Sequence, residues 1–431
     1  MLGECFECGY GKPKDDEKAV GLYRAAAEQG FPPAQSRLGI FYMLGRVVGE
    51  DQARAIDLLT RAADRDHPEA LCYLGECYEN ARGVPEDKVK ARELYRRAAE
   101  RGFARAQCDL GFFYYHGITV PEDNDEAVRW FTMAASRGLP RAQFFLGQCN
   151  ENAFGVPQNP ARAAQLYGFA AEHGYIPAQC AYAWCLENGY GCEKNQTEAV
   201  DWYKKAAAED YPRAQYNLAC CYEQGTGTPA DMEKALTLYR AAAAEGYPPA
   251  QCALGWCYDS GRGVEQSDAQ AIHWYTLAAD QGNSRAQNNL GCCYATGQGV
   301  QKDEAHALAL YEKAAQSGYP DGQFNLGYCY YKGQGTAQDY AKAVEWFLKA
   351  AERGNVSAQC NLGACYHNGT GVTKDDAAAA KWYERAANQE SPRGMYWLGR
   401  CYEQGLGVKR DWFKGRELMK KAKAAGYKPP K

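Results

Sequence analysis

The dipeptide Leu-Gly recurs along this chain with a period that never slips. It stands at Leu38-Gly39, Leu74-Gly75, Leu110-Gly111, Leu146-Gly147, Leu254-Gly255, Leu290-Gly291, Leu326-Gly327, Leu362-Gly363 and Leu398-Gly399. Successive starts differ by 36 residues or a multiple of 36, and Leu2-Gly3 lies one period before the first. Tyr182-Ala183 and Leu218-Ala219 fill the two remaining slots. A column of alanines keeps the same register: Ala26, Ala62, Ala98, Ala134, Ala170, Ala206, Ala242, Ala278, Ala314, Ala350, Ala386 and Ala422. A chain of 431 residues holds about twelve such periods. The length alone would suggest two or three ordinary domains, but internal repetition on this scale predicts one array of a single small unit.

Each period divides into two predicted helices. In residues 106–141, Ala106, Leu110 and Tyr114 fall at i, i+4 and i+8 and share one helix face. Gly117 stops that helix, because glycine supplies the left-handed conformation of a helix C-terminus; most copies read Gly-x-Gly here, as at Gly261 and Gly263. The acidic stretch 122–126 starts the second helix and suits its positive end. Ala127, Phe131 and Ala134 form its apolar face, Gly138 ends it, and Pro140 sits in the link to the next unit. One such hairpin cannot bury both of its faces, so the units must stack. The expected fold is all-α: an α/α superhelical solenoid of about twelve 36-residue helix-turn-helix repeats, one domain over 1–431. It divides into a truncated first repeat at 1–33, ten full repeats over 34–393 and a C-terminal repeat at 394–431, whose extra lysines suit a solvated outer face.

The shared pattern is A-Q-x-x-L-G-x-C-Y-x-x-G-x-G-V-x-x-D, followed by A-x-x-W/Y-x-x-A-A-x-x-G, and residues 250–285 match it almost throughout. This pattern is similar to that of the Sel-1-like repeat (SLR) family, which is related to tetratricopeptide arrays. The resemblance covers essentially the whole chain. It implies antiparallel helix pairs in a right-handed superhelix, and adaptor proteins that assemble other proteins.

In the related arrays the first helix of each pair lines a concave groove. Counted from the Leu of Leu-Gly, the matching groove columns lie two before it, two after it and five after it, on one helix face. These columns vary between copies while the packing columns do not. Two before stand Phe144, Tyr216, Asn288, Phe324 and Tyr396. Two after stand Phe112, Gln148, Trp184, Trp256 and Tyr328, with Glu76, Cys220, Cys292 and Arg400 in other copies. Five after stand Glu79, Tyr115, Glu151, Glu187, Glu223, Asp259, Tyr331, His367 and Glu403. Aromatic faces beside a line of carboxylates would favour a protein or peptide segment carrying Lys or Arg among apolar residues. The alternative is that the aromatics pack against the next repeat and the carboxylates form a solvated rim.

Nineteen cysteines would suggest disulfides in a secreted protein. Ten of the twelve units, however, place Cys three after the Leu, as at Cys77, Cys149, Cys185, Cys221, Cys257, Cys293, Cys329, Cys365 and Cys401. Equivalent points in stacked repeats lie ~10 Å or more apart, whereas a disulfide needs Cα atoms within ~7 Å. The column therefore reads as a small core residue. The secreted cysteine-rich branch of the resembled family staples each repeat with two cysteines eight apart. Here those positions are Ala and Gln, as in Ala99 and Gln107 or Ala351 and Gln359. Cys5 and Cys8 form a single C-x-x-C with no second pair to complete a zinc site.

No motif of a serine hydrolase, zinc protease or P-loop occurs. The six histidines, His67, His116, His173, His273, His306 and His367, are scattered among unrelated columns. Neither a cofactor nor a metal is expected, and the chain reads as a non-enzyme. A β-lactamase-like or penicillin-binding activity stands only as an analogy with cysteine-rich relatives; a structural spacer is a further alternative. The formal net charge of −4 shows no basic excess for a nucleic-acid partner. No secretory leader and no apolar run of ~18 residues is visible. The expectation is a cytoplasmic, monomeric, protein-binding scaffold.

Overall fold

The computed structural model describes residues 2–428. Among them lie 24 α-helices and no strand, two helices to each 36-residue period. The chain divides into two compact units, one of Met1–Ala214 with Gly225–Pro229, the other of Gln215–Gln224 with Ala230–Lys431. Each unit is a run of helical hairpins in which consecutive helices pack on one another, from Leu2–Cys8 to Gln196–Ala208 in the first and from Met232–Ala244 to Trp412–Ala424 in the second.

The helix limits follow from the punctuation of the repeat. In the copy read above, the first helix spans Ala104–Tyr115 and the second Asn124–Ala135. The acidic stretch works through one residue: Asp123 is the N-cap and accepts the Glu126 N–H at 3.0 Å. The same cap recurs before other second helices, with Asp15, Asp87, Asn159, Asp231 and Asp339 in that role. Pro140 is the first residue of the next helix, where its missing N–H costs nothing. Most first helices end on a left-handed residue, Gly at Gly189 and Gly261 and Ala at Ala153, whereas Ala104–Tyr115 ends on His116 at φ −103° with the left-handed Gly117 one residue later.

Inside a hairpin, the glycine of Leu-Gly is required by a ring on the second helix. A Cβ at Gly147 would lie 2.6 Å from Cε1 of Tyr167, and one at Gly255 2.7 Å from Cδ1 of Tyr275. The rings lie on bare backbone, and Tyr167, Tyr203, Tyr239 and Tyr275 are all fully buried. The alanine column is buried as well; only Ala26 is half-buried. The cysteine column three after the Leu is core, with Cys77, Cys149, Cys185 and Cys257 at 1% exposure or less.

Two contacts join one repeat to the next. The second glycine of Gly-x-Gly, expected only to help stop a helix, abuts the first turn of the preceding repeat's second helix. A Cβ on Gly191 would collide with the Pro160 carbonyl, and one on Gly371 with that of Tyr340. The Gln of the A-Q pair donates from Nε2 to a carbonyl eight residues back, at the end of the preceding repeat's second helix. Gln107 reaches Ala99 at 3.1 Å, Gln323 reaches Ala315 at 3.3 Å and Gln359 reaches Ala351 at 3.1 Å. A hydrogen bond thus spans the positions where cysteine-rich relatives carry their staple.

Replacing Gly191 by Ala should cost about 3 kcal/mol, because a backbone collision is added to the strain of its positive φ. Gly174→Ala, with φ of +79° and open space around it, should cost only about 1 kcal/mol. Urea denaturation of both variants tests this; equal losses would contradict it.

Candidate partner-binding surface

All of the expected groove residues lie on first helices. Phe112 and Tyr115 are on Ala104–Tyr115, Phe144 and Gln148 on Pro140–Asn152, and Trp184 and Glu187 on Ile176–Asn188. Tyr216 and Glu223 are on Pro212–Gln224, Trp256 and Asp259 on Pro248–Ser260, Asn288 on Ser284–Thr296, and Phe324, Tyr328 and Tyr331 on Pro320–Lys332. Twelve of these fourteen are half-buried. Tyr328 is exposed, at 38%, and Asn288 is buried, at 6%.

The column five after the Leu is committed to the hairpin itself. Five of the carboxylates named in it accept a hydrogen bond from the tyrosine sixteen residues later on the second helix; at Glu403 that place is held by Met419. Tyr95 donates to Glu79 at 2.6 Å, Tyr167 to Glu151 at 2.5 Å, Tyr203 to Glu187 at 2.8 Å, Tyr239 to Glu223 at 2.6 Å and Tyr275 to Asp259 at 3.3 Å. A buried hydroxyl needs an acceptor, and the carboxylate supplies it. Where the second helix carries Phe131 or Phe347, the paired position holds Tyr115 or Tyr331, whose rings lie 6.2 Å from those phenylalanines. Removing the hydroxyl removes the need for an acid. Glu223 also pairs with Arg262 at 3.2 Å, and Asp259 accepts from Gln298 at 2.8 Å. In the line of carboxylates read from the sequence, Glu79, Glu151, Glu187, Glu223 and Asp259 are therefore internal acceptors.

The column two before the Leu is mostly core. Ser36, Cys72, Cys108, Cys180, Cys252 and Cys360 are buried there along with Asn288, whose Oδ1 accepts from Asn325 at 2.8 Å. Its aromatic members lean on the second helix: ring centroids lie 5.6 Å apart for Phe144 and Tyr167, and 5.8 Å both for Tyr216 and Tyr239 and for Phe324 and Phe347. For these residues the packing alternative describes the geometry better than a free groove wall does.

The column two after the Leu retains an open edge. Arg141 lies over Phe112 at 5.6 Å, Trp184 tilts against Tyr190 at 5.3 Å, and Arg262 lies over Trp256 at 5.3 Å. Cys220 and Cys292, in the same column, are half-buried and accept tyrosine hydroxyls at 3.3 Å. Burial holds the Cys292 thiol above its ordinary range, the opposite of what a reactive thiolate needs.

In the second unit, Phe324, Tyr328 and Tyr331 come together in one cleft of about 370 Å³. Its other walls come from the first helices of the next two repeats, through Asn361 and Ala364 and then Arg393. Among the described residues no group of three or more His, Cys, Asp or Glu side chains could hold a metal ion.

A profile of the Sel1 repeat matches twelve consecutive segments, 1–31, 32–67, 68–103, 104–139, 140–175, 176–211, 212–247, 248–283, 284–319, 320–355, 356–391 and 392–427. The chain belongs to the Sel1 repeat family. Among solved Sel1 structures it is similar to c5321, a protective antigen of uropathogenic Escherichia coli with an SLR fold, at 33% identity and a TM-score of 0.62. That match covers 94% of this chain and 90% of c5321. A Sel1 repeat protein from Oxalobacter formigenes is 34% identical over 71% of this chain and 88% of its own, with a TM-score of 0.49. A comparison with curated proteins finds no match. Sel1 repeat proteins typically serve as protein–protein interaction scaffolds and are generally not enzymes. No helix among the described residues is long and apolar enough to cross a membrane.

One column of the Sel1 face escaped the sequence reading, that five before the Leu. Arg105 pairs there with Glu76 at 2.5 Å, and Arg141 with the buried Asp109 at 2.5 Å. Glu69 in the same column meets Arg37 at 3.2 Å. These pairs neutralise Arg37, Arg105 and Arg141 in the first unit. Arg285 and Arg393 hold the same position in the second unit, and among the described residues neither has a carboxylate in ion-pair reach. The signal was the recurrence of Arg at 105, 141, 213, 285 and 393, in one repeat position.

The hydroxyl–carboxylate pairs set a pH limit. Burial, reinforced by the neighbouring acids, pushes the Tyr95, Tyr167 and Tyr239 hydroxyls far above the ordinary tyrosine range. The folded chain keeps protons that the unfolded chain releases near pH ~10. Stability from these groups is thus complete below that pH and falls as pH rises beyond it. Tyr167→Phe should cost about 1 kcal/mol at pH 7 and should make the loss between pH 9 and pH 11 shallower. Urea midpoints across that range test this; parallel curves for the two proteins would contradict it.

Proposed function

We propose that this Sel1 repeat protein is a non-enzymatic scaffold that holds a peptide or protein segment along the first-helix face, with its repeats over 1–431 serving as one binding domain. The observation behind this reading is how the face divides its work. The columns two before and five after the Leu are taken up by core packing and by tyrosine hydroxyls. The column two after keeps an open edge and changes from copy to copy through Phe112, Gln148, Trp184, Trp256 and Tyr328. Variable, partly exposed aromatics on a rigid frame are what a selective protein contact requires.

The preference for a basic partner loses its support, because the acids that suggested it already accept hydrogen bonds within each hairpin. The face supports a protein ligand rather than a nucleic acid, given the net charge of −4. A cytoplasmic, monomeric protein fits this role. A β-lactam-directed activity has no serine-enzyme motif in the sequence behind it, and a passive spacer would leave the variable column without a task.

Affinity capture by the full chain, read out by mass spectrometry, separates these readings. Trp184→Ala combined with Trp256→Ala should deplete specifically bound proteins at least tenfold, while helical circular dichroism remains that of the parent. Undiminished recovery by the folded double variant would favour the spacer.

A further inference from the structure

The cleft in the second unit has a lining that selects among partners. Phe324, Tyr328 and Tyr331 supply its apolar wall. The polar side chains that line it are Lys332, Ser357, Asn361 and Arg393, all hydrogen-bond donors, and no carboxylate lines it. Among the described residues none of the four has a hydrogen-bond or ion-pair partner. Lys332 lies over the rings of Tyr328 and Tyr331 at 5.8 and 5.7 Å. Among the described residues neither Lys332 nor Arg393 has a carboxylate within ion-pair distance. In the first unit, Arg105 and Arg141 hold the same column as Arg393, and each is neutralised by an acid of the preceding repeat. The corresponding acid positions beside Arg393 hold Asn361 and Ala364. The counter-charge is missing beside the exposed Tyr328 and the rings of Phe324 and Tyr331.

We propose that this cleft binds a segment of a partner protein that carries an Asp or Glu side chain, or a terminal carboxylate, next to an aromatic or branched apolar residue. The carboxylate takes the place that Asp109 and Glu76 fill in the first unit, between the Arg393 guanidinium and the Lys332 ammonium. The apolar residue covers the exposed face of Tyr328. The cleft's volume of about 370 Å³ suits one or two side chains rather than a folded domain. Two cations on a chain of net charge −4 favour a single carboxylate over the repeating phosphates of a nucleic acid. The assignment rests on the scaffold reading and deepens it by fixing the charge of the partner.

Selection of a phage-displayed random dodecapeptide library on the full chain tests the proposal. The eluates are compared with those from Arg393→Gln and Tyr328→Ala. Neither substitution removes a partner the fold relies on, since among the described residues Arg393 has no carboxylate in ion-pair reach and Tyr328 is 38% exposed; thermal melts verify that both variants fold. The enriched peptides are then made with a fluorescent label and titrated by anisotropy. The expected result is enrichment of Asp or Glu beside Phe, Leu, Ile or Trp, with binding weakened about tenfold by either substitution, as for loss of one charge-assisted contact. Replacing the peptide acid by its amide should weaken binding equally and make it insensitive to Arg393→Gln. Enrichment of Lys- or Arg-rich peptides, or no peptide that depends on Arg393 and Tyr328, would overturn the proposal. Tighter binding of a labelled oligouridine through the same two residues would overturn it as well. Loss of partners in the Trp184/Trp256 capture experiment together with a failed selection would leave the scaffold standing and remove only this assignment.

Discussion

An aromatic ring laid on a bare glycine, most often a tyrosine, holds the typical hairpin together. In most repeats the ring comes from the second helix, and the glycine of Leu-Gly has no Cβ to keep it away. Burying that ring strands its hydroxyl, and a carboxylate sixteen residues earlier accepts the bond. Apolar contact and polar satisfaction are thus solved by one pair of side chains. Joining one hairpin to the next takes two further contacts, both to backbone carbonyls. Glycine backbone rests on the first turn of the preceding second helix, and a glutamine amide caps that helix's last turn. Because these contacts ask for the absence of a side chain or for one amide at fixed reach, the same residues return every 36 positions.

The repetition, the helix pairs, the caps and the cysteine core could be read directly from the sequence, because each depends on residues close together in one period. Cys149 and Cys257 are buried where the column placed them, and Asp123 caps where the acidic stretch began. The tyrosine–carboxylate bond was also encoded, as a rule linking two columns: acid with Tyr at 79 and 95, Tyr with Phe at 115 and 131. Reading each column alone hid that rule and made Glu187 and Glu223 look like groove charges. The cleft was harder to foresee. Tyr328, Asn361 and Arg393 come from three successive repeats, and only the stacking of first helices brings them to one place.

The division between fixed and free positions gives the surface its meaning. Residues spent on tyrosine hydroxyls or buried against second helices cannot also select a partner without loosening the fold. What remains is a narrow strip, two residues after each Leu, and the charges beside it. In the first unit Arg105 and Arg141 are paired with acids; in the second, Arg285 and Arg393 meet no such acid among the described residues. A scaffold built on one invariant hairpin can thus present different chemistry from unit to unit at little structural cost.

Site-specific photocrosslinking in the native cell tests most directly whether that strip is where the molecule works. A photoreactive phenylalanine analogue would be placed singly at Gln148, Trp256 and Tyr328, on first helices, and at Arg162, Thr237 and Glu345, which are exposed on second helices. Adducts to other proteins from the first-helix positions, and none from the second-helix positions, are the expected result. Adducts confined to second-helix positions, or none from any first-helix position in folded protein, would contradict a scaffold that binds through its first helices.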